Sequence, residues 1–254
     1  MSEGKVSSTI KDGIATVEFF HPQSNSLPGT LLMSLAAEVE KVGKDKQAKV
    51  IVLRSEGDKT FCAGASFDEL ISITDLETGK KFFSGFAAVI NAMRKAPKFV
   101  IVRVQGKAVG GGVGLAASGD YTLATEAAAA KLSELNVGIG PFVVGPAVER
   151  KIGTSAFSQM SISAGDWMDA KWAREKGLYA STYPTIAELD KAVDDLAGKL
   201  AQSSPEAMAQ LKAVFWEGTE NWDKLLIERA EMSGRLILSD FSKKFIENFK
   251  KGKR

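Results

Sequence analysis

The residues best placed to do chemistry lie in one stretch, GKAVGGGVGLAASGD, from Gly106 to Asp120. The apolar run Phe99-Val100-Ile101-Val102-Arg103-Val104 precedes it and predicts a buried strand. Beyond the glycines, Val113, Leu115, Ala116 and Ala117 would form the inner face of a short helix. Gly110, Gly111 and Gly112 stand at the join, where a ligand can approach bare backbone N–H groups. The first N–H groups of a helix have no internal partner and carry the positive end of its dipole. Such a join suits an anion, or an oxygen that is becoming one. Three readings compete. The first is close packing of helix against strand. The second is a dinucleotide site: Gly112-Val-Gly114-Leu-Ala-Ala117 fits G-x-G-x-x-A, and Glu134 lies 20 residues past Gly114. The third is an oxyanion hole for a carbonyl substrate.

The elements that must hold this stretch follow from the rest of the chain. Val6–Ile10 and Ile14–Phe20 flank Lys11-Asp12-Gly13, a hairpin signal. After a turn-rich loop at residues 21–28, Leu32, Leu35, Ala36, Val39 and Val42 fall on one helical face. Val50–Leu53 reads as a third strand, residues 55–65 as a loop, and residues 78–95 as a helix leading into the strand before the glycines. Tyr121–Ala124 is a further strand candidate. The order predicts a mixed α/β core that repeats a ββα unit. From Val143 onward helices dominate, with breaks near Gly153, Gly165 and Gly177, and four helices fill residues 185–251. The last of these predict a helical subdomain packed on the core.

Composition narrows the function. Among 254 residues, 33 basic and 31 acidic side chains nearly cancel, which argues against a broad nucleic-acid face. One cysteine excludes an internal disulfide framework, and one histidine excludes a multi-histidine metal site. The N-terminal residues carry no signal sequence, and no apolar run approaches the roughly 20 residues of a membrane span, so a cytoplasmic location is expected. Cys62 reads as a small buried hydrophobe, His21 as a loop residue, the four tryptophans as packing, and Asp120 as structural.

Phe61-Cys-Ala-Gly-Ala65, Val104-Gln-Gly-Lys-Ala-Val-Gly-Gly-Gly112 and Ser133-Glu-Leu-Asn-Val-Gly-Ile-Gly-Pro141 together resemble the crotonase superfamily, the enoyl-CoA hydratase/isomerase family. The similarity runs nearly end to end and displaces the dinucleotide reading. It implies a right-handed spiral of ββα units, here residues 1–195, followed by a helical trimerisation subdomain at residues 196–254. It also implies an acyl-CoA thioester as ligand, coenzyme A entering only as part of the substrate, with no metal and no separate cofactor. The family's two oxyanion donors match the N–H groups of Ala65 and Gly111, and its second hydratase glutamate matches Glu134. The neighbouring residues Ala63, Gly64, Ser66, Phe67, Gly110, Gly112, Gly114 and Phe142 are then expected along the substrate.

The first hydratase glutamate falls on Gly114, which has no side chain. Hydration uses two carboxylates, whereas moving a double bond needs one base that takes a proton from C2 and returns it at C4. The expected activity is therefore Δ3-to-Δ2 enoyl-CoA isomerisation with Glu134 as single base. Enoyl-CoA hydration is the alternative, and an acyl-CoA-binding protein with little turnover is the alternative from another class. Asp68 or Glu69 would have to replace the absent carboxylate for hydration. Ser66 and Asp68 depart from the residues usual in the family, and Phe142-Val143-Val144 replaces a glycine-rich continuation with an apolar wall. The expected assembly is a homotrimer or a dimer of trimers, argued from Leu225, Leu226, Ile227, Leu236, Ile237 and Leu238. The basic end, Lys250, Lys251, Lys253 and Arg254, reads as a solvated tail with a secondary role in phosphate contact.

Overall fold

A computed structural model describes residues 4–252. The chain begins with the expected hairpin, β1 (Lys5–Lys11) and β2 (Ile14–Phe20), and then α1 (Gly29–Lys44). The next turn holds β3 (Val50–Ser55), β4 (Thr60–Cys62), α2 (Phe67–Leu70) and α3 (Leu76–Lys95). A third turn holds β5 (Val100–Val104), β6 (Lys107–Val109) and α4 (Gly111–Ser118). A fourth has β7 (Tyr121–Thr125), β8 (Ala129–Lys131), a 3₁₀ turn at Glu134–Val137 and α5 (Gly145–Ile162). Then come β9 (Met168–Asp169), α6 (Ala170–Glu175), β10 (Ser181–Tyr183) and four helices: α7 (Ile186–Ala201), α8 (Pro205–Phe215), α9 (Trp222–Leu236) and α10 (Asp240–Gly252).

From the second turn onward, each turn sends its first strand to one sheet and its second to another. The large sheet runs β1-β2-β3-β5-β7-β10 and the small one β4-β6-β8-β9. Within the large sheet β2, β3, β5, β7 and β10 are parallel neighbours. In the small sheet β4, β6 and β8 are parallel, and β9 closes it antiparallel. Parallel strands covered on both sides read as continuous apolar runs, which is why β5 is buried along its whole length. This is the ββα spiral of the crotonase fold. The small sheet has no counterpart in the sequence expectations, where β4 falls inside the loop read at residues 55–65, because its strands are only two or three residues long and carry no usable period.

The helices close the two faces. Leu32, Leu35, Val39 and Val42 of α1 join Phe86, Ile90 and Met93 of α3 in the main core. Helices α3 and α9 approach backbone to backbone: a β-carbon on Gly79 would lie 2.9 Å from Gly234 Cα. Helix α7 covers the large sheet through Leu189, Val193 and Ala197. The expected boundary at residue 195 is therefore corrected: it would cut α7, which packs as one helix on the sheet. Trp222, Leu226 and Ala230 of α9 also belong to the main core.

One buried polar hub ties the helices to the large sheet. Asp120 accepts from Val100 N–H at 2.7 Å and Trp216 Nε1–H at 2.7 Å, and pairs with Lys212 Nζ at 2.8 Å. Lys212 also donates to the carbonyls of Met93 and Lys98. Asp120 is thus structural, as its sequence position implied. Among the described residues, no helix is long and apolar enough to cross a membrane.

Candidate active site

The small sheet positions the site. Its three parallel strands each deliver one candidate group shortly beyond their C-terminal ends. Ala65 follows β4, Gly111 follows β6, and Glu134 follows β8. Because β4 pairs with β6 and β6 with β8, neighbouring groups start out about 4.8 Å apart, the spacing of adjacent strands. Two N–H groups one strand apart can both reach a single oxygen placed between them.

Local bonding leaves both N–H groups available. Ala65 faces Leu27 in a parallel bridge, in which Leu27 donates to Gly64 O at 2.7 Å and accepts from Ser66 N–H at 3.1 Å. In a parallel bridge one residue of the facing pair makes both bonds, so the Ala65 N–H is left on the other side. Gly110 donates to Lys131 O at 2.8 Å and its carbonyl accepts from Val113 and Gly114, which starts α4 and leaves Gly111 as the first helical residue. Among the described residues neither the Ala65 nor the Gly111 N–H donates to a backbone or side-chain acceptor. The Gly111 donor also sits at the positive end of the α4 dipole.

Two glycines here are conformational necessities. Gly64 has φ +89° and a β-carbon on it would sit 2.9 Å from Val109 O. Gly110 has φ +53°, and its β-carbon would lie 2.9 Å from Glu134 Oε1. The bare α-carbon at 110 is what lets the carboxylate lie beside the oxyanion donors.

Glu134 opens the 3₁₀ turn, which ends on Gly138. The residue keeps some exposure, but its Oε2 is enclosed and has no hydrogen-bond partner among the described residues. Burial pushes its carboxyl up to about 7, against the Glu134 and Ser133 backbone N–H groups, which pull it down. A buried carboxylate normally has partners for its lone pairs; one without them is primed to take a proton.

These groups share a cavity of about 470 Å³. Of the residues expected along a substrate, Ala63, Gly64, Ala65, Phe67, Gly110, Gly111, Glu134 and Phe142 line it. Ser66, Gly112 and Gly114 do not, and these expectations are corrected. Ser66 is buried and caps α2, accepting from Glu69 N–H. Gly112 packs against Cys62, whose carbonyl a β-carbon would hit. Gly114 packs against Val144, and a β-carbon there would collide with the valine methyl Cγ1. Val144 itself lines the cavity, with Phe142 and Val143. The space a side chain at 114 would need is thus already occupied.

The two acids that stood as replacements for the missing carboxylate part company. Glu69 Oε2 accepts from Gly29 N–H at 2.8 Å and caps α1 from the side, off the cavity wall. Asp68 lies on the cavity, exposed, and accepts from Gln23 Nε2 at 2.9 Å. Cys62 is fully buried, and burial pushes its thiol up to about 12, so it is no nucleophile.

Phe83, Phe86 and Ser233 are cavity residues that the sequence did not single out. The phenylalanines of α3 repeat at helical spacing and look like core, which Phe86 partly is, since its ring packs where a β-carbon on Gly111 would go. Only the break from a glycine-rich pattern at Phe142-Val143-Val144 pointed at Val144. Helix α10 covers the 3₁₀ turn: Phe241 and Ser242 pack against Gly138, and the Phe249 ring stacks at a tilt on Phe67 with centroids 4.3 Å apart. Lys253 and Arg254 of the basic end lie outside the described residues, as do the side chains of Lys250 and Lys251.

The enoyl-CoA hydratase/isomerase family model matches residues 9–252. The chain belongs to this family. Its relatives include human mitochondrial methylglutaconyl-CoA hydratase, 33% identical over 77% of this chain and 58% of that longer protein. The 2,3-dehydroadipyl-CoA hydratase of Escherichia coli (strain K12) is 31% identical, covering 77% of this chain and 75% of the relative. An enoyl-CoA hydratase from Bacillus halodurans superposes with a TM-score of 0.88 at 19% identity, over 96% of this chain and 99% of that one. As a member of this family the chain is an acyl-CoA enzyme.

Proposed function

We propose that this family member is a single-base Δ3,Δ2-enoyl-CoA isomerase. The thioester oxygen would lie between the Ala65 and Gly111 N–H groups. Glu134 would take the C2 proton, the electron pair moving into the thioester as a dienolate, and return it at C4 as the double bond shifts. Donors fixed toward developing charge contribute about 3–4 kcal/mol each to such a transition state. A carboxyl held near 7 takes and returns protons efficiently around neutral pH.

The observation that carries the reading is Val144 in the space beside Gly114. Hydration needs a water oriented on one side and a proton delivered on the other. The wall next to Glu134 supplies a valine methyl where a second acid would be useful. The names of the relatives favour hydration as the second reading. It would have to recruit Asp68, which is exposed and engaged by Gln23.

One assay separates them: wild-type enzyme given 3-hexenoyl-CoA and 2-hexenoyl-CoA under the same conditions. Isomerisation is expected to exceed hydration by at least tenfold. Faster hydration would make the single-base reading wrong, and tight binding without either reaction would favour a binding protein. Introducing Gly114→Glu alone is no test of the missing acid, because the new side chain meets Val144; the informative variant pairs it with Val144→Gly.

Trimeric assembly and a cytoplasmic setting belong to the same proposal. The support for assembly shifts, because Leu226 and Ile237 are buried within the chain and Leu225, Ile227, Leu236 and Leu238 pack on its own clusters. Exposed apolar side chains that remain for an interface include Leu135, Ile162 and Phe241.

A further inference from the structure

The cavity divides by polarity. Its hydroxyl side chains Ser24, Ser26 and Ser133 belong to the segments that carry Ala65 and Glu134, since Ser24 O accepts from Ala63 N–H and Ser26 precedes the Leu27 bridge. The remaining wall is built from Leu70, Phe83, Phe86, Ile139, Phe142 and Val144. Among the described residues no lysine, arginine or histidine lines the cavity, and its only ionisable side chains are the acids Asp68 and Glu134. The one polar side chain from the helical wall is Ser233 of α9, which is buried. Its hydroxyl donates to Arg229 O at 3.3 Å, so it turns lone pairs, not a proton, toward other groups.

We propose that this cavity selects uncharged acyl chains and rejects thioesters whose acyl group ends in a carboxylate. The inference rests on the acyl-CoA reading above and adds a substrate class to it. Among the described residues, a terminal carboxylate taken from water into this wall would find no lysine, arginine or histidine, the Ser233 proton is already given to Arg229 O, and the cavity's two ionisable side chains are acids. Burying an unpaired charge is costly enough to dominate selection, whereas one methylene more or less changes binding only modestly. A neutral aliphatic or aromatic chain, by contrast, gains from contact with phenylalanine and branched aliphatic side chains.

The test uses saturated thioesters, so binding is read without any reaction and independently of which bond chemistry the enzyme performs. Hexanoyl-CoA, adipyl-CoA and the methyl ester of adipyl-CoA are titrated calorimetrically into wild-type protein at pH 7.5. Hexanoyl-CoA is expected to bind at least tenfold more tightly than adipyl-CoA, and the neutral ester to recover at least tenfold over the free acid. A gap under tenfold for the first pair overturns charge selection. An ester that binds no better than the acid overturns it too, because size would then explain the rejection. Absence of binding by all three would sink the acyl-CoA reading itself, and charge selection with it. As a second measurement, Phe83→Arg places a cation on the wall and should narrow the hexanoyl-to-adipyl ratio at least fivefold. Should that variant not fold, the three wild-type titrations decide alone.

Discussion

Two buried carboxylates, Asp120 and Glu134, flank the same turn of the spiral and have opposite surroundings. Asp120 spends its oxygens on Val100 N–H, Trp216 Nε1–H and the Lys212 ammonium. Glu134 keeps an enclosed oxygen with no partner among the described residues, beside a glycine whose missing side chain makes room for it. Burial penalises charge in both places. At Asp120 that penalty is offset by a cation and two donors, which fixes helix α8 to the sheet. At Glu134 only the Glu134 and Ser133 backbone N–H groups oppose it, and burial still pushes the carboxyl up to about 7. The same side-chain chemistry thus serves as a structural tie in one case and as a reactive group in the other, according to what surrounds it.

The comparison breaks most readily at Glu134. Glu134→Gln keeps the shape and removes the basicity, so isomerisation should fall by about 10³-fold or more while affinity for hexanoyl-CoA changes little. Turnover with a drop under about tenfold would show that another group is the base. Next in size is Asp120→Asn, which strands the buried Lys212 ammonium; urea unfolding should show a loss of about 3–5 kcal/mol. A loss below about 1 kcal/mol would mean that the hub is a spectator.

A pH series sharpens the contrast. Between Glu134's ordinary value near 4.5 and its folded value of about 7, the folded chain holds a proton that the unfolded chain has released. Stability contributed by Glu134 should therefore fall as pH rises through that window, and level off above it. The gap between wild type and Glu134→Gln should change by about 2–3 kcal/mol across it, with the amide gaining. Over the same range kcat/KM for isomerisation should rise with pH, with a midpoint near 7, because the base must be ionised. The smallest effect is expected at Asp68: as an exposed acid off the reaction path, Asp68→Asn should change either rate by less than about threefold. A large loss there would revive two-carboxylate chemistry.

Much of this arrangement was legible in the sequence, for identifiable reasons. Helices α1, α3 and α7–α10 announce themselves by apolar spacing, and β3 and β5 by short runs of β-branched residues. Ala65, Gly111 and Glu134 are picked out together by resemblance; local chemistry by itself marks only the glycine join at 110–112. The small sheet that sets their spacing was not legible, because its strands are shorter than any periodicity test needs. Gly114 was legible as an absence, but only packing shows that Val144 occupies the space. Likewise the apolar residues of α9 could not reveal that they face inward, since a helix turned toward a partner and one turned toward its own core share the same pattern.

The three strand ends of the small sheet have a consequence for how such a chain can change length. The candidate groups are counted from β4, β6 and β8, and the outer helices lie between those counts, not within them. Extra residues in the loop at Gly57, where a side chain would meet nothing within 4 Å, alter the length of a turn without resetting any count. A single residue added between Lys131 and Glu134 would turn the carboxylate away from Gly110. Growth and loss are therefore tolerated on the rim of the spiral and forbidden over a few residues past each inner strand, so lineages can reshape the outside while the reaction centre keeps its register.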